Sequence, residues 1–293
     1  MYNIGGYNEA KTLAEAVTML AESPQRKLIA GGTDILVKMQ HQPVVEQELL
    51  SIRKLTELKK IEKREDGTLV LGALVTFTQI ANEPILQESV PALVDAAISM
   101  GGPQIRNMAT LGGNVCNGAT SADSASTLFV LNARLHLQSA EGKRVIPIRE
   151  FYLGPGKVDL KKGEILTEIH IAPEDYRGFS GYYLKFAMRK AMDIATLGVS
   201  VACKVKDGRF DEVRIGLGVA GPTPLRCTEA EAYAQGKMMT AEVFAEIARR
   251  ALTSTHARTS WRASKEYREH LVEELTQRAL KVALHRAGGV YHV

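Results

Sequence analysis

The sequence predicts an α+β protein of two domains, and three observations support that prediction. The chain has 293 residues, of which 45% are hydrophobic and 24% charged, so it is long enough for two domains that each bury a core. Its first third alternates short apolar strands and helical segments around a glycine-rich turn. Its last third places β-rich segments before three helical ones, an order typical of α+β domains.

The N-terminal elements predict a small α/β unit. Thr12 and Glu15 form a capping-box pattern, and the apolar residues that follow recur at helical spacing. We expect a short buried strand at 27–30, a helix at 35–39 and a further strand at 49–52. Strand, turn, helix and strand in this order indicate an α/β subdomain.

The pattern changes from about residue 55, where a second subdomain is expected to begin. Thr76 and Gln79 cap a short helix. The expected longer elements are strands at 70–73, 135–138, 145–148 and 165–171, and helices at 91–100 and 124–131. Residues 173–181 combine charged residues with two glycines, so we interpret this segment as a linker.

The last third predicts a β-hairpin followed by helices. Asp207-Gly208 separates the β-rich segments 195–205 and 211–219, and Asp-Gly favours a tight hairpin turn in which both central residues take a positive φ. The expected helices are 228–234, 241–253 and 264–287.

Composition argues against several classes of function. The net charge is +4, from 37 basic and 33 acidic residues without a long run of either sign, so no stripe for nucleic acid is indicated. No apolar segment approaches the ~20 residues that span a bilayer, and the N-terminus lacks a signal-peptide pattern. The three cysteines cannot ligate an iron–sulfur cluster, which usually takes four, and the seven histidines form no metal-binding motif. We expect a cytoplasmic protein with no membrane span, nucleic-acid partner or metal site.

The first motif that carries chemistry is Ala30-Gly31-Gly32-Thr33-Asp34, directly after a predicted strand. Glycine allows a sharp turn in which the amides of Gly32, Thr33 and Asp34 point at one anion. A tight strand–helix turn without a ligand explains the same residues.

A second glycine-rich segment runs from 109 to 124. Its first part predicts a short strand and a double-glycine turn at Gly112-Gly113, and small polar side chains then lead to a helix N-terminus. Backbone amides and hydroxyls here suit phosphate. Asp123 suits ribose hydroxyls or, equally, a helix N-cap. Two such turns in one domain favour a ligand that contains a diphosphate.

The sequence Gly216-Leu217-Gly218-Val219-Ala220-Gly221 matches the dinucleotide-binding G-x-G-x-x-G motif but lacks its context. Pro222 and Pro224 follow at once, which removes two amide donors and keeps the chain extended. The motif requires a helix at this point. We therefore reject a nicotinamide-binding Rossmann unit.

The segment 182–196 predicts a strand around Lys185 followed by an exposed charged loop. Arg189 and Asp193 lie between two apolar runs, an arrangement that suits either a functional loop or a solvated loop with an incidental ion pair.

Together these segments resemble the FAD subunits of molybdenum hydroxylases, which include xanthine, carbon monoxide and nicotinate dehydrogenases. AGGTD at 30–34, PQIRNMATLGGN at 103–114, SADSA at 121–125, LKFAMRKAMDIAT at 184–196 and WRASKEYR at 261–268 occur in that order. The likeness covers essentially the whole chain and is strongest to the bacterial three-subunit xanthine dehydrogenases.

The resemblance implies a vanillyl-alcohol-oxidase (PCMH-type) FAD-binding domain at 1–176, with subdomains at about 1–54 and 55–176. A C-terminal α+β domain of the CO dehydrogenase flavoprotein type would occupy 177–293. The FAD contacts it implies are Lys27, Leu28, Ile29, Ala30, Gly31, Gly32, Thr33, Asp34, Ile35, Thr110, Gly113, Asn114, Asn117, Asp123, Ile165, Leu166 and Lys185. The loop with Arg189, Asp193 and Ile194 would face the flavin, without a certain catalytic residue among them.

The resemblance also implies an electron-relay role. Electrons would arrive from [2Fe-2S] clusters on one partner subunit, after hydroxylation at a molybdopterin centre on another, and would leave through FAD to NAD⁺. The complex would be a heterotrimer, with or without further dimerisation. A self-sufficient FAD-dependent reductase of the same fold, a subunit of a related hydroxylase acting on carbon monoxide, nicotinate or another heterocycle, and a flavin-free scaffold subunit are the alternatives.

Overall fold

The computed structural model describes residues 2–23, 25–41 and 46–289. Three main β-sheets, each with its own hydrophobic core, and one two-stranded sheet organise these residues. The strands in these ranges are β1 Ile4–Glu9, β2 Lys27–Ile29, β3 Gln47–Ser51, β4 Ile61–Lys63, β5 Leu69–Gly72, β6 Arg134–Ser139, β7 Gly142–Pro147, β8 Tyr152–Gly154, β9 Lys157–Val158, β10 Ile165–Ile171, β11 Ser180–Phe186, β12 Leu197–Lys206, β13 Arg209–Gly218 and β14 Leu225–Arg226.

The helices of the described ranges lie between and after these strands. They are α1 Leu13–Glu22, α2 Ile35–His41, α3 Phe77–Asn82, α4 Pro84–Ser89, α5 Pro91–Ser99, α6 Pro103–Arg106, α7 Leu111–Cys116, α8 Asp123–Val130, α9 Ile148–Phe151, α10 Thr228–Ala234, α11 Ala241–Ala251 and α12 Lys265–Arg286, with 3-10 helices at Thr56–Lys59, Pro173–Asp175 and Leu252–Ser254. None of them is long and apolar enough to cross a membrane.

The first sheet is parallel, with strand order β1-β3-β2. Helix α1 buries Ala16, Val17 and Leu20 in the core of this subdomain. As expected, the hydroxyl of Thr12 accepts a hydrogen bond from the Glu15 amide at 3.1 Å. The other half of the predicted capping box is wrong, because the Glu15 carboxylate accepts instead from the Lys11 amide at 2.7 Å.

The second sheet is antiparallel, with strand order β4-β5-β10-β6-β7. One face packs with α5 and α8 into the largest core, and β10 has the bounds predicted from the sequence. The capping box of Thr76 and Gln79 is present at the start of α3.

The strand predicted around residue 109 is wrong, because Leu111–Cys116 forms α7. The hydroxyl of Thr110 caps this helix, and Gly112 packs so closely on the segment after β5 that a Cβ there would lie 2.6 Å from the Cβ of Ala73. That close approach involves residues far apart in sequence, so local patterning could not indicate it.

The C-terminal sheet is antiparallel, with strand order β11-β12-β13-β14, and α12 packs on β11 and β12. The predicted Asp207-Gly208 turn is confirmed, with φ of +51° and +71° at its two residues. The residues after Gly218 form a turn that leads to strand β14 and not to a helix, which agrees with the rejection of a Rossmann unit.

The segment interpreted as a linker is fixed to both neighbours. Its 3-10 helix contains Asp175. The carboxylate of Asp175 accepts a hydrogen bond from the side-chain amide of Asn132 at 2.6 Å and another from the guanidinium of Arg214 at 2.9 Å. The Tyr176 hydroxyl donates to the Gly67 carbonyl at 2.7 Å. Hydrogen bonds through this segment therefore connect the C-terminal domain to the subdomain of the second sheet. The domain boundaries at 54 and 176 stay predictions.

Candidate functional site

A cavity of about 1380 Å³ lies between the first two sheets and extends to the loop at 189–194. This volume exceeds the ~300–1,000 Å³ of a common small-ligand pocket, so it suits a long cofactor. The predicted site residues that line it are Lys27, Leu28, Ala30, Gly31, Gly32, Thr33, Asp34, Ile35, Thr110, Gly113, Asn114, Asn117, Asp123, Ile165, Leu166, Asp193 and Ile194. Ile29, Lys185 and Arg189 do not line this cavity.

The first glycine turn has two glycines for two different reasons. Gly32 takes a φ of +77°, which residues with a Cβ rarely adopt. Gly31 passes so close to the second subdomain that a Cβ would lie 1.8 Å from the carbonyl oxygen of Met108. Among the described residues, no hydrogen bond satisfies the amides of Gly32, Thr33 and Asp34. These three donors are therefore available to an anion in the cavity.

The second glycine turn differs from expectation, because its amides already have partners. The amide of Leu111 donates to the Val75 carbonyl at 2.9 Å, and that of Gly112 donates to the Ala73 carbonyl at 2.9 Å. The Gly113 amide donates to the hydroxyl of Thr110 at 3.1 Å. This turn fixes α7 against β5, and its contribution to a ligand has to come from side chains.

Two amide side chains supply that contribution. Asn114 accepts a hydrogen bond from the Ser124 hydroxyl at 2.7 Å, which orients its amide at the cavity wall. Asn117 accepts from the ammonium of Lys38, which also lines the cavity. The sequence did not single out Lys38. Its place one turn into the helix that follows the first glycine turn is the signal that could have identified it.

Asp123 belongs to a buried polar group rather than a helix cap. It is the first residue of α8 and makes no capping hydrogen bond. Its carboxylate accepts from the Tyr183 hydroxyl at 2.9 Å and from the Lys185 ammonium at 3.0 Å. Burial raises the pKa of Asp123, and the charge of Lys185 opposes the rise. Lys185 thus stands behind the cavity wall and positions a carboxylate that lines it.

The loop at 189–194 closes one end of the cavity and is internally bonded. The Asp193 carboxylate accepts from the amides of Arg189 and Ile194, each at 2.9 Å. Burial tends to raise the pKa of Asp193, but these amides and the Arg189 charge lower it overall, so the group is ionised at neutral pH. Met192, which the sequence did not indicate, takes a φ of +54° and donates its amide to the Gly101 carbonyl at 3.2 Å.

The histidines form no metal-binding motif in the sequence, but two of the seven meet in the fold. The rings of His136 and His170 stack with centroids 3.6 Å apart, beside Glu168. These residues lie on neighbouring strands and are 34 positions apart in the sequence, so no local motif could show their contact.

Two family models match the chain. Residues 2–174 match the FAD binding domain in molybdopterin dehydrogenase, and residues 182–283 match the CO dehydrogenase flavoprotein C-terminal domain. The chain belongs to the FAD-binding subunits of the molybdenum hydroxylase family. The xanthine dehydrogenase FAD-binding subunit of Escherichia coli O157:H7 is 44% identical over 99% of both chains.

Further relatives extend the likeness to other substrates and to solved structures. The nicotinate dehydrogenase FAD-subunit of Eubacterium barkeri is 36% identical over 79% of this chain and 80% of its own. A chain of carbon monoxide dehydrogenase from Hydrogenophaga pseudoflava superposes with a TM-score of 0.91 at 29% identity, covering 98% of this chain and 99% of its own. A chain of quinoline 2-oxidoreductase from Pseudomonas putida 86 superposes with a TM-score of 0.91 at 26% identity, covering 96% of this chain and 97% of its own.

The cavity fits FAD in size and in chemistry. Its volume accepts a dinucleotide, and the three unsatisfied amides of the first glycine turn are donors of the kind that bind a pyrophosphate. Ile165 and Leu166 are buried apolar side chains at the wall, which suit one face of a flavin ring. Asp123 offers acceptors for hydroxyl groups between these two ends.

Proposed function

We propose that this chain passes electrons from [2Fe-2S] clusters on a partner subunit, through FAD, to NAD⁺ within a xanthine dehydrogenase. The observation that carries the proposal is the cavity between the two N-terminal sheets, which runs from the free amides at residues 32–34 to the loop at 189–194. When bound, FAD supplies a carrier that accepts electrons one at a time and releases them as a pair.

The residues of the chain bind and orient the cofactor in this proposal. The amides of Gly32, Thr33 and Asp34 bind the diphosphate, because backbone donors are fixed in place before the ligand arrives. Asn114 and Asn117 contact the same end through their amide side chains. Asp123, positioned by Lys185 and Tyr183, accepts hydrogen bonds from hydroxyls of the ribose or ribityl chain.

The loop at 189–194 is the proposed place of electron exit. A second cavity, of about 490 Å³, is lined by residues of β11 and by this loop, and Asp193 lines both cavities. One loop therefore separates the cofactor site from a space where a second ligand such as NAD⁺ approaches it. Ile194 is 47% exposed in this loop, so the approach is from solvent.

The choice of xanthine rests on the relative that is 44% identical over 99% of both chains. The partners that follow are an iron–sulfur subunit and a molybdopterin-binding subunit, in a heterotrimer. We also propose a cytoplasmic location, because the three cysteines are free thiols, as in proteins of reducing compartments.

Two alternative enzymes differ from the proposed relay in their substrate or in their need for an iron–sulfur partner. A carbon monoxide or nicotinate hydroxylase would keep the same flavin chemistry and change only the substrate of the partner subunit. A self-sufficient reductase would oxidise NADH and reduce a substrate of its own without any iron–sulfur partner. A flavin-free scaffold is disfavoured, because the cavity and its free amides would serve no purpose there.

The test is anaerobic reduction of the FAD-loaded chain by NADH, followed by absorbance of the flavin. The proposed relay predicts rapid bleaching, because electron exchange with the nicotinamide works in both directions. It also predicts xanthine-dependent NAD⁺ reduction only after the two partner subunits are added. FAD that stays oxidised with NADH while the reconstituted complex reduces a quinone or oxygen would contradict NAD⁺ as the acceptor.

A further inference from the structure

A cluster of one carboxylate and two imidazoles lies on the second sheet, away from the cofactor cavity. His136 is on β6 and pairs with Glu168 on β10, and His170 follows two residues later. Because side chains alternate across a strand, the three point to the same face. That face is opposite the one on which Leu135 and Ile169 pack in the core.

The donor atoms of this His136–Glu168–His170 cluster are close enough to share one ion. The Nε2 atom of His170 is 2.7 Å from the Oε2 atom of Glu168, and one donor atom from each residue lies within 4.8 Å of the others. A tetrahedral zinc ion with bonds of ~2.0–2.2 Å to nitrogen and oxygen places its ligand atoms ~3.3 Å apart. Small side-chain movements therefore span the difference.

The charges around the cluster favour a cation in one respect and oppose it in another. Glu168 supplies the negative charge. Arg64 opposes a cation, with its Nη2 atom 3.6 Å from Glu168, but its side chain is 45% exposed and Glu62 offers an alternative partner at 3.6 Å.

We propose that His136, Glu168 and His170 bind one borderline divalent ion such as Zn²⁺, with a fourth position open to water. Two imidazoles and one carboxylate select zinc, cobalt or nickel over magnesium or calcium, which prefer oxygen ligands. Binding requires the His136 ring to rotate out of its stack with His170, so that both lone pairs meet at the ion. The ion then fixes β6 to β10, the strand whose other end carries Ile165 and Leu166 at the cofactor cavity.

The experiment uses tag-free, full-length protein from which the flavin and, with a chelator, bound metals have been removed. The protein is titrated with Co²⁺, and binding is measured from the visible ligand-field absorption bands of the bound Co²⁺. Zn²⁺ is then added as a competitor. We expect one equivalent of Co²⁺ in a tetrahedral site, displaced by Zn²⁺. His136→Gln and His170→Gln are expected to weaken binding by about tenfold or more. The control His285→Gln removes an exposed histidine on α12 and leaves the affinity unchanged.

The variant Arg64→Gln is expected to change the affinity for Co²⁺ in the opposite direction from the histidine variants. Because it removes a positive charge beside Glu168, the account predicts tighter Co²⁺ binding than in the wild type. This variant lies at a half-exposed position and so decides the question even if a histidine variant does not fold. Unchanged or weaker binding in Arg64→Gln, or full binding in a folded His136→Gln protein, would overturn the proposal. FAD binding, measured on the same samples, reports separately on the proposed function.

Discussion

Replacement of Gly31 by alanine is the sharpest perturbation of the cofactor site. A Cβ at this position would lie 1.8 Å from the Met108 carbonyl oxygen, whereas ordinary contact begins at 3.4 Å, so the two backbones must part by about 1.6 Å. Both clashing groups are main chain, which has no rotamer to relieve the contact. We expect a loss of about 1–3 kcal/mol in the free energy of unfolding, the usual cost of overpacking.

The larger effect of Gly31→Ala should be on FAD affinity. A hydrogen bond from an amide to phosphate spans about 2.9 Å, so a displacement of about 1.6 Å abolishes it. Each bond to a charged group contributes about 1.5–3 kcal/mol, so each one lost weakens binding by about 10- to 100-fold.

The assay is titration of the flavin-free chain with FAD, followed by quenching of flavin fluorescence, with urea unfolding in parallel. Gly6→Ala is the matched control, because Gly6 lies in the sheet that contains β2, the strand before Gly31, and its Cβ would meet only the flexible side chain of Glu48 at 3.7 Å. A Gly31→Ala protein with the FAD affinity of the wild type would refute the placement of the diphosphate at this turn.

Three further predictions concern charged groups at the cavity. Lys185→Met leaves the buried Asp123 carboxylate without its ion-pair partner, so the free energy of unfolding in urea should fall by about 3 kcal/mol. Most of this loss should be recovered in the double variant Lys185→Met/Asp123→Asn. Equal losses in the single and the double variant would be inconsistent with a paired charge. Asp193→Asn removes a negative charge near the flavin and should raise its midpoint potential in a spectroscopic redox titration, whereas an unchanged potential would place the ring elsewhere. Despite burial, hydrogen bonds from Arg144 lower the pKa of Glu164, so its stabilisation is complete above pH 4.5 and is lost as the pH falls through the folded-state pKa. Glu164→Gln should therefore lose less stability on acidification below pH 4.5 than the wild type, and parallel acid curves would exclude this contribution.

The sequence was informative where local chemistry determines structure. The hairpin at Asp207-Gly208 follows from the positive φ that both residues accept. Helices α11 and α12 begin within one residue of the predicted starts, and the side chains of Thr240 and Ser264 cap them. The first glycine turn was also predictable, because a short strand, two glycines and a helix follow one another. The expected burial of that strand is wrong, because Lys27 is exposed and Leu28 and Ile29 are only partly buried.

Long-range packing determined what the sequence could not indicate. The helix at Leu111–Cys116 depends on carbonyls of Ala73 and Val75, so its glycines serve packing rather than an anion. Lys185 was expected to contact FAD, yet it stands behind Asp123, a relation set by the pairing of separate subdomains. The contact of His136 with His170 likewise arises only when β6 and β10 become neighbours.

The cavity between the two N-terminal sheets is proposed to bind FAD at both ends of the cofactor. Parallel titrations of the flavin-free chain with FAD and with FMN test this most directly, because FMN lacks the adenosine and one of the two phosphates that the amides of residues 32–34 are proposed to bind. We predict one FAD per chain and markedly weaker binding of FMN. Equal affinities, or no binding of FAD by a folded chain, would contradict the account.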